Sequence, residues 1–116
     1  MRLPNWDKAF VPKEKLTEYL LSETHVDGGP KADFFRRFGF GPDNWAKLAQ
    51  ALLNHSAEHD IVAEESTPFG RRYVIEGPLL AADGRRPSLR SIWFIDTGAD
   101  APRLVTAYPL KGNVDD

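Results

Sequence analysis

The spacing of the apolar residues changes once along the chain, at about His59, and this change limits the possible folds more than any other feature. Before it, apolar residues recur at helical spacing, most clearly in a stripe formed by Trp45, Leu48, Ala49, Leu52 and Leu53, as on one face of an amphipathic helix. After it, short apolar runs are separated by turn residues, which is typical of strands joined by hairpins. A helical half followed by a strand half predicts an α+β fold.

Three helices are predicted in the first half of the chain. Pro12 suits the first position of a helix, so the first helix is expected to start there. A helix is not expected to continue through residues 28–30, Gly-Gly-Pro. A second helix is expected to begin at Lys31 and to stop at Gly39. The third helix is expected to follow Gly41 and to carry the apolar stripe.

Four strands are predicted after the helices, at 61–66, 72–76, 88–96 and 103–108. Alternation along the last strand predicts that Leu104, Thr106 and Tyr108 share one face, with Val105 and Ala107 turned toward the helices. The alternative is that Thr106 and Tyr108 are present only as good strand formers. We therefore expect one domain, residues 1–116, with its helical half at about 12–59 and its sheet half at about 60–110. Three N-terminal helices would pack on one face of a roughly four-stranded antiparallel sheet.

The composition excludes several classes of function. The chain has no cysteine, which removes disulfide frameworks, thiolate zinc sites and cysteine nucleophiles. Lys+Arg 15 against Asp+Glu 17 is too even for a general nucleic-acid coat protein. No apolar run has the length of a membrane span and no signal-peptide core is present, so we expect a cytoplasmic protein that does not enter the membrane. No cofactor is predicted.

The His55-Ser-Ala-Glu-His59 segment matches the H-x-x-E-H pattern of inverted zinc peptidases. Two histidines at i and i+4 share a helix face, but the segment falls in the last turn of the third helix, where histidine also favours the helix dipole. No clear third ligand follows on a second helix. The sequence therefore predicts no metal site, with zinc binding by this pair as the alternative.

A diffuse group of cations and hydroxyls is the better candidate for chemistry. His25 and Lys31 flank the glycine loop before the second helix, while Arg90, Thr106 and Tyr108 belong to the sheet. RNA cleavage without a metal needs such groups: a base for the ribose 2′-OH, cations for the phosphate and an acid for the leaving oxygen. An unperturbed histidine has a pKa near neutrality, so His25 suits the base or the acid, whereas Lys31 suits phosphate binding. Two further cations, Arg72 and Lys15, are expected to bind substrate.

Four segments of the chain resemble a small bacterial family known only as a domain of unknown function: residues 14–21, 31–40, 92–95 and 104–109. A wider likeness, in the order of helices and strands and in the closing Val-Thr-Ala-Tyr-Pro strand, is to the barnase–EndoU–colicin–RelE group of metal-independent ribonucleases. That resemblance implies a site with Arg90, Thr106 and Tyr108 from the sheet, and more loosely His25 or Lys31 from the helical part. The chain departs from the group in being slightly acidic.

Many members of that group are toxins held by a cognate antitoxin or immunity protein, which implies RNA and such a protein as partners. The alternative is a binding module without activity, such as an immunity, antitoxin or adaptor protein. Acidic residues between Glu58 and Glu65 favour this alternative, because acidic surfaces commonly bind basic toxins.

Overall fold

The computed structural model describes residues 1–22 and 29–110. Helix α1 begins as an α-helical turn, Lys13–Lys15, and continues as a π-helical turn, Leu16–Leu20. Helix α2 spans Gly29–Arg37 and α3 spans Trp45–Glu58, and short 3-10 turns lie at Trp6–Lys8 and Pro42–Asn44. Helix α2 begins two residues before the predicted start at Lys31, because a proline in a first helical turn has no backbone hydrogen bond to lose.

The four strands are β1 at Ile61–Thr67, β2 at Gly70–Pro78, β3 at Ser88–Asp96 and β4 at Arg103–Pro109. They form one antiparallel sheet in the order β1-β2-β3-β4. This confirms the predicted α+β architecture, with β3 as a central strand. No helix within the described ranges is long and apolar enough to cross a membrane.

The core lies between the helices and one face of the sheet. Phe35 of α2 and Leu48 and Leu52 of α3 are fully buried in the same apolar cluster as Trp93 of β3. Full burial of each such side chain stabilises the fold by about 1.5–3 kcal/mol. The apolar stripe read from the sequence of α3 is therefore the surface that attaches this helix to the sheet.

A β-bulge in β4 determines which side chains of this strand face the core and which face away from it. Leu104 pairs with Trp93 and Thr106 pairs with Ile92, so Val105 is an extra residue between two ladder positions. A bulge shifts the alternation of the strand by one residue. Leu104 and Ala107 are consequently both buried against the helices, while Thr106 and Tyr108 share the opposite, open face. The prediction was correct for Ala107 and this pair, and wrong for Leu104.

A buried histidine connects α3 to the sheet. His55 Nε2 lies 3.0 Å from the Gly77 carbonyl oxygen and therefore carries the proton, which leaves Nδ1 to accept from the Ser91 hydroxyl at 3.0 Å. Ser91 Oγ in turn accepts from the Trp93 indole N–H at 2.9 Å. Every polar atom of this network has a partner while His55 is neutral. Removal from water lowers the pKa of His55 to about 4.

We expect this histidine to make the fold sensitive to mild acid. Its pKa rises from about 4 in the folded chain to 6.5 in the unfolded chain, so the unfolded chain binds more protons between these values. Stability is then fully present above pH 6.5 and falls by up to about 3 kcal/mol as pH drops to 4. Chemical denaturation across this range, with His55→Gln as the test and His59→Gln as the control, measures the effect. An equal pH dependence in His55→Gln would contradict it.

Candidate functional site

Five side chains from four elements meet at the β4 edge of the open face: Tyr19 of α1, Lys31 of α2, Arg90 of β3, and Thr106 and Tyr108 of β4. We call this group the cation–hydroxyl cluster. The cross-strand pairing sets its sheet half, because Arg90 lies directly opposite Tyr108 and directly opposed residues share a face. Strand β4 lies at an edge of the sheet. Side chains of helices α1 and α2 can therefore reach Thr106 on this strand.

Lys31 is the centre of the helical half of the cluster. Its ammonium donates to Thr106 Oγ1 at 3.1 Å and also to the Tyr19 hydroxyl. The two hydroxyl oxygens are themselves 3.5 Å apart. Lys31 Nζ lies 4.7 Å from the centre of the Tyr19 ring and 5.6 Å from that of Tyr108. Two rings and two hydroxyls thus fix the position of one partly buried positive charge.

Arg90 supplies the second positive charge. Its Nη1 donates to the Tyr108 hydroxyl at 3.2 Å, and its Nε donates to Glu76 Oε2 at 2.7 Å. The hydrogen bond with Tyr108, and then that with Glu76, raise the pKa of Arg90 above its usual value. Both Lys31 and Arg90 contact Tyr108, so the two positive charges lie near the same side chain. An anion of phosphate size placed against Tyr108 could contact both.

The other predicted site residues lie at different distances from the cluster. Lys15 is beside it, with Nζ 5.6 Å from the centre of the Tyr19 ring. Arg72 is outside it: it pairs with Glu65 at 3.9 Å and lies four residues along β2 from Glu76, about 13 Å at the rise of a strand. His25 lies outside the described residues. The structure therefore brings together Lys31, Arg90, Thr106 and Tyr108, with Lys15 adjacent.

Two residues of the site were missed by sequence reasoning. They are Tyr19 and Glu76, neither of which was among the predicted site residues. Tyr19 lies in the π-helical turn of α1, which the Leu21 N–H closes on the Leu16 carbonyl at 2.7 Å. Such turns are frequent at functional sites. The signal in the sequence that could have identified Tyr19 as a site residue is its closeness to two lysines within residues 13–19.

The H-x-x-E-H segment has a structural role. Both ring nitrogens of His55 are hydrogen-bonded inside the core. His59 Nε2 lies 2.8 Å from the carbonyl oxygen of Pro78 and therefore donates to it. Within residues 1–22 and 29–110, no three histidine or carboxylate side chains are grouped as metal ligands. The pair anchors the end of α3 to β2.

The acidic surface predicted between Glu58 and Glu65 is largely paired within the chain. Asp60 binds the N-terminal amine at 3.2 Å and Arg2 at 3.0 Å, and these contacts lower its pKa. Glu64 pairs with Arg71, and Glu65 with Arg72. Little uncompensated negative charge is left there for a basic partner.

The fold is similar to a chain in the solved structure of a contact-dependent growth inhibition toxin–immunity protein complex from Klebsiella pneumoniae 342. The TM-score is 0.72 at 18% sequence identity, and the match covers 88% of this chain and 100% of that chain. At this identity the likeness concerns the fold alone. No curated protein sequence matches the chain. A family model for a domain of unknown function, DUF6883, matches residues 2–111, and the chain therefore belongs to that family.

Proposed function

We propose that this protein is a metal-independent endoribonuclease that cleaves RNA by attack of a ribose 2′-OH on the adjacent phosphate. The observation that carries the proposal is the placement of both Lys31 and Arg90 against Tyr108, with the Thr106 hydroxyl 3.1 Å from Lys31. In such a reaction negative charge grows on the phosphate oxygens as the 2′-oxygen attacks. Fixed positive charges and hydrogen-bond donors at that position lower the barrier.

Each cation has a distinct part in the proposed reaction. Arg90 presents a guanidinium that is held by Glu76 and Tyr108, and a planar guanidinium matches two phosphate oxygens at once. Lys31 acts as a point charge beside the same phosphate. Because an ammonium only donates, the Thr106 oxygen accepts from Lys31. The Thr106 O–H then remains available to donate a hydrogen bond to a phosphate oxygen.

The proton transfers need a base and an acid. His25 is one candidate, because it lies six residues in sequence from both Tyr19 and Lys31 and imidazole is the side chain best suited to proton transfer at neutral pH. Glu76 is the other candidate for the base, because its carboxylate lies at the cluster, where it accepts a hydrogen bond from Arg90. Replacing each in turn, by His25→Ala and Glu76→Gln, identifies the base: loss of the true base removes the acidic limb of the pH–rate profile.

The likeness in fold to a chain of a toxin–immunity protein complex supports a role in such a system, with a protein partner of the immunity or antitoxin kind. A second candidate function is the immunity or adaptor role itself, without catalysis. The exposure of β1 favours it, because this edge strand could pair with a strand of another protein. The paired carboxylates of β1 and the cation–hydroxyl cluster favour the nuclease.

The test is incubation of the purified protein with total RNA in EDTA. The nuclease hypothesis predicts discrete or progressive fragmentation that continues in excess chelator. Intact RNA at high protein concentration, with the native fold verified by circular dichroism, would overturn it. A stable stoichiometric complex with a protein encoded by a neighbouring gene, together with intact RNA, would then establish the binding module.

Replacing Tyr19 with phenylalanine is expected to reduce the cleavage rate about 10- to 100-fold. The variant keeps the ring beneath Lys31 but loses the hydroxyl to which its ammonium donates. A hydrogen bond to a charged group contributes about 1.5–3 kcal/mol. Tyr73→Phe is the matched control, because Tyr73 is buried in the core away from the cluster. Equal cleavage rates for the two variants would remove Tyr19 from the site.

A further inference from the structure

A second group of cations lies where the loop of residues 79–87 contacts the end of α2. Arg85 Nη2 donates to the carbonyl oxygen of Arg37 at 2.7 Å, and the Arg85 guanidinium lies 4.3 Å from the centre of the Phe38 ring. Arg86 and Lys47 border one cavity of about 310 Å³ between this loop and α3. We call Arg37, Lys47, Arg85 and Arg86 the basic corner.

The charges of the basic corner are unusual for this protein. Arg85 pairs with Asp83 at 2.7 Å, but Arg37 and Arg86 have no carboxylate partner among the described residues. Every other arginine has one, as shown by the ion pairs of Arg2, Arg36, Arg71, Arg72, Arg90 and Arg103. The chain has a formal net charge of −2. Its unpaired arginines are nevertheless both at one corner, in segments about 50 residues apart in sequence.

The basic corner and the cation–hydroxyl cluster are connected through two elements, helix α2 and the first half of β3. Helix α2 carries Lys31 in its first turns and Arg37 at its last residue, about 9 Å apart along the helix axis. Arg86 precedes Arg90 by four residues, which limits the distance between their Cα atoms to about 14 Å. A polyanion held at the cluster could therefore also contact the corner.

We propose that the basic corner binds backbone phosphates of the RNA at a distance from the bond that is cleaved. This inference rests on the proposed nuclease function and adds that the substrate extends beyond the nucleotides at the cluster. Guanidinium groups match phosphate oxygens in pairs, and such contacts position RNA without reading its sequence. Leu80 is the sole large exposed apolar side chain of the described residues that borders the cavity. A protein interface would need a larger apolar centre.

The test compares the double variant Arg37→Ala/Arg86→Ala with Arg2→Ala/Arg71→Ala, which removes two paired arginines elsewhere. Binding of a 2′-O-methyl RNA stem–loop, which cannot be cleaved by 2′-OH attack, is measured by fluorescence anisotropy over a range of salt concentrations. Loss of two phosphate contacts should weaken binding at least about 10-fold at low salt and reduce the slope of log Kobs against log[salt] by about 1.4–1.8. The control should bind like the wild type.

Cleavage separates this inference from the proposed function. With a long RNA, the corner variant should show a KM raised about 10-fold and an unchanged kcat, and Arg37→Lys/Arg86→Lys should restore much of the binding. With a dinucleotide that reaches only the cluster, the corner variant and the wild type should react equally.

Three results separate the possibilities: the first and third would overturn the inference about the basic corner, and the second would retain it without the nuclease. An unchanged salt slope and KM would refute the corner while the nuclease stands. Stem–loop binding that depends on the corner, without any cleavage by the wild type, would refute the nuclease and retain the corner as an RNA surface. Normal RNA binding by the corner variant, combined with lost affinity for an immunity protein, would show that the surface binds protein.

Discussion

Replacing Arg90 with alanine is expected to lower the rate of RNA cleavage about 100- to 1,000-fold in EDTA, the usual effect of removing one preorganised donor to a developing oxyanion. Arg90 is the cation that Glu76 and Tyr108 hold in place by hydrogen bonds at 2.7 and 3.2 Å. The effect should appear mainly in kcat, because the interaction strengthens as the phosphate gains charge. Initial rates on a fluorescent oligoribonucleotide measure it.

Arg71→Ala is the control for Arg90→Ala. Arg71 is also a strand arginine in an ion pair, with Glu64, but it lies near the other end of β2. The Arg71→Ala variant should cleave RNA at the wild-type rate. If both variants retained full activity with intact folds, Arg90 would have no part in the reaction and the phosphate site would have to be sought elsewhere.

Replacing Lys31 with methionine is expected to cause a loss of similar size, about 100- to 1,000-fold in kcat. Methionine keeps the length and most of the apolar contact of the lysine side chain but removes the charge between the Tyr19 and Tyr108 rings and the donor to Thr106. Lys31→Arg should restore little activity, because a planar guanidinium does not reproduce a compact ammonium within this ring pair.

Lys8→Met is the control for Lys31→Met, since Lys8 is exposed in the 3-10 turn at Trp6–Lys8. Thermal unfolding of both variants shows whether the fold survives. If Lys31→Met and Lys8→Met cleaved RNA at the same rate, the positive charge at α2 would be dispensable. The helical half of the cluster would then have a structural role alone.

The features that could be predicted from the sequence are those that leave a local signal. Helix α3 repeats its apolar residues over two turns, and β3 is an apolar run between turns, so the α+β order followed from spacing. The sharing of one face by Thr106 and Tyr108 followed from alternation because the bulge precedes both. The bulge at Val105 left no signal of its own, since one extra residue does not change the composition of a strand.

The assembly of the site depends on contacts that are distant in sequence. Tyr19 and Thr106 are 87 residues apart, and Lys31 and Thr106 are 75 apart, so no local pattern records that they touch. The residue types could be listed from the chemistry of RNA cleavage, which is why Lys31, Arg90, Thr106 and Tyr108 were named together. Tyr19 was not, because its position among Leu16 and Leu20 is that of an ordinary core residue.

The central claim is that the cation–hydroxyl cluster directs attack by a ribose 2′-OH. The most direct measurement uses an RNA oligonucleotide whose cleavage site has been mapped, compared in EDTA with the same oligonucleotide carrying a single 2′-deoxyribose on the 5′ side of that bond. Attack by the 2′-OH predicts a 2′,3′-cyclic phosphate end on the first substrate, identified by mass spectrometry, and no cleavage at that bond in the second. Equal cleavage of both, or a 5′-phosphate and a free 3′-OH as products, would contradict it.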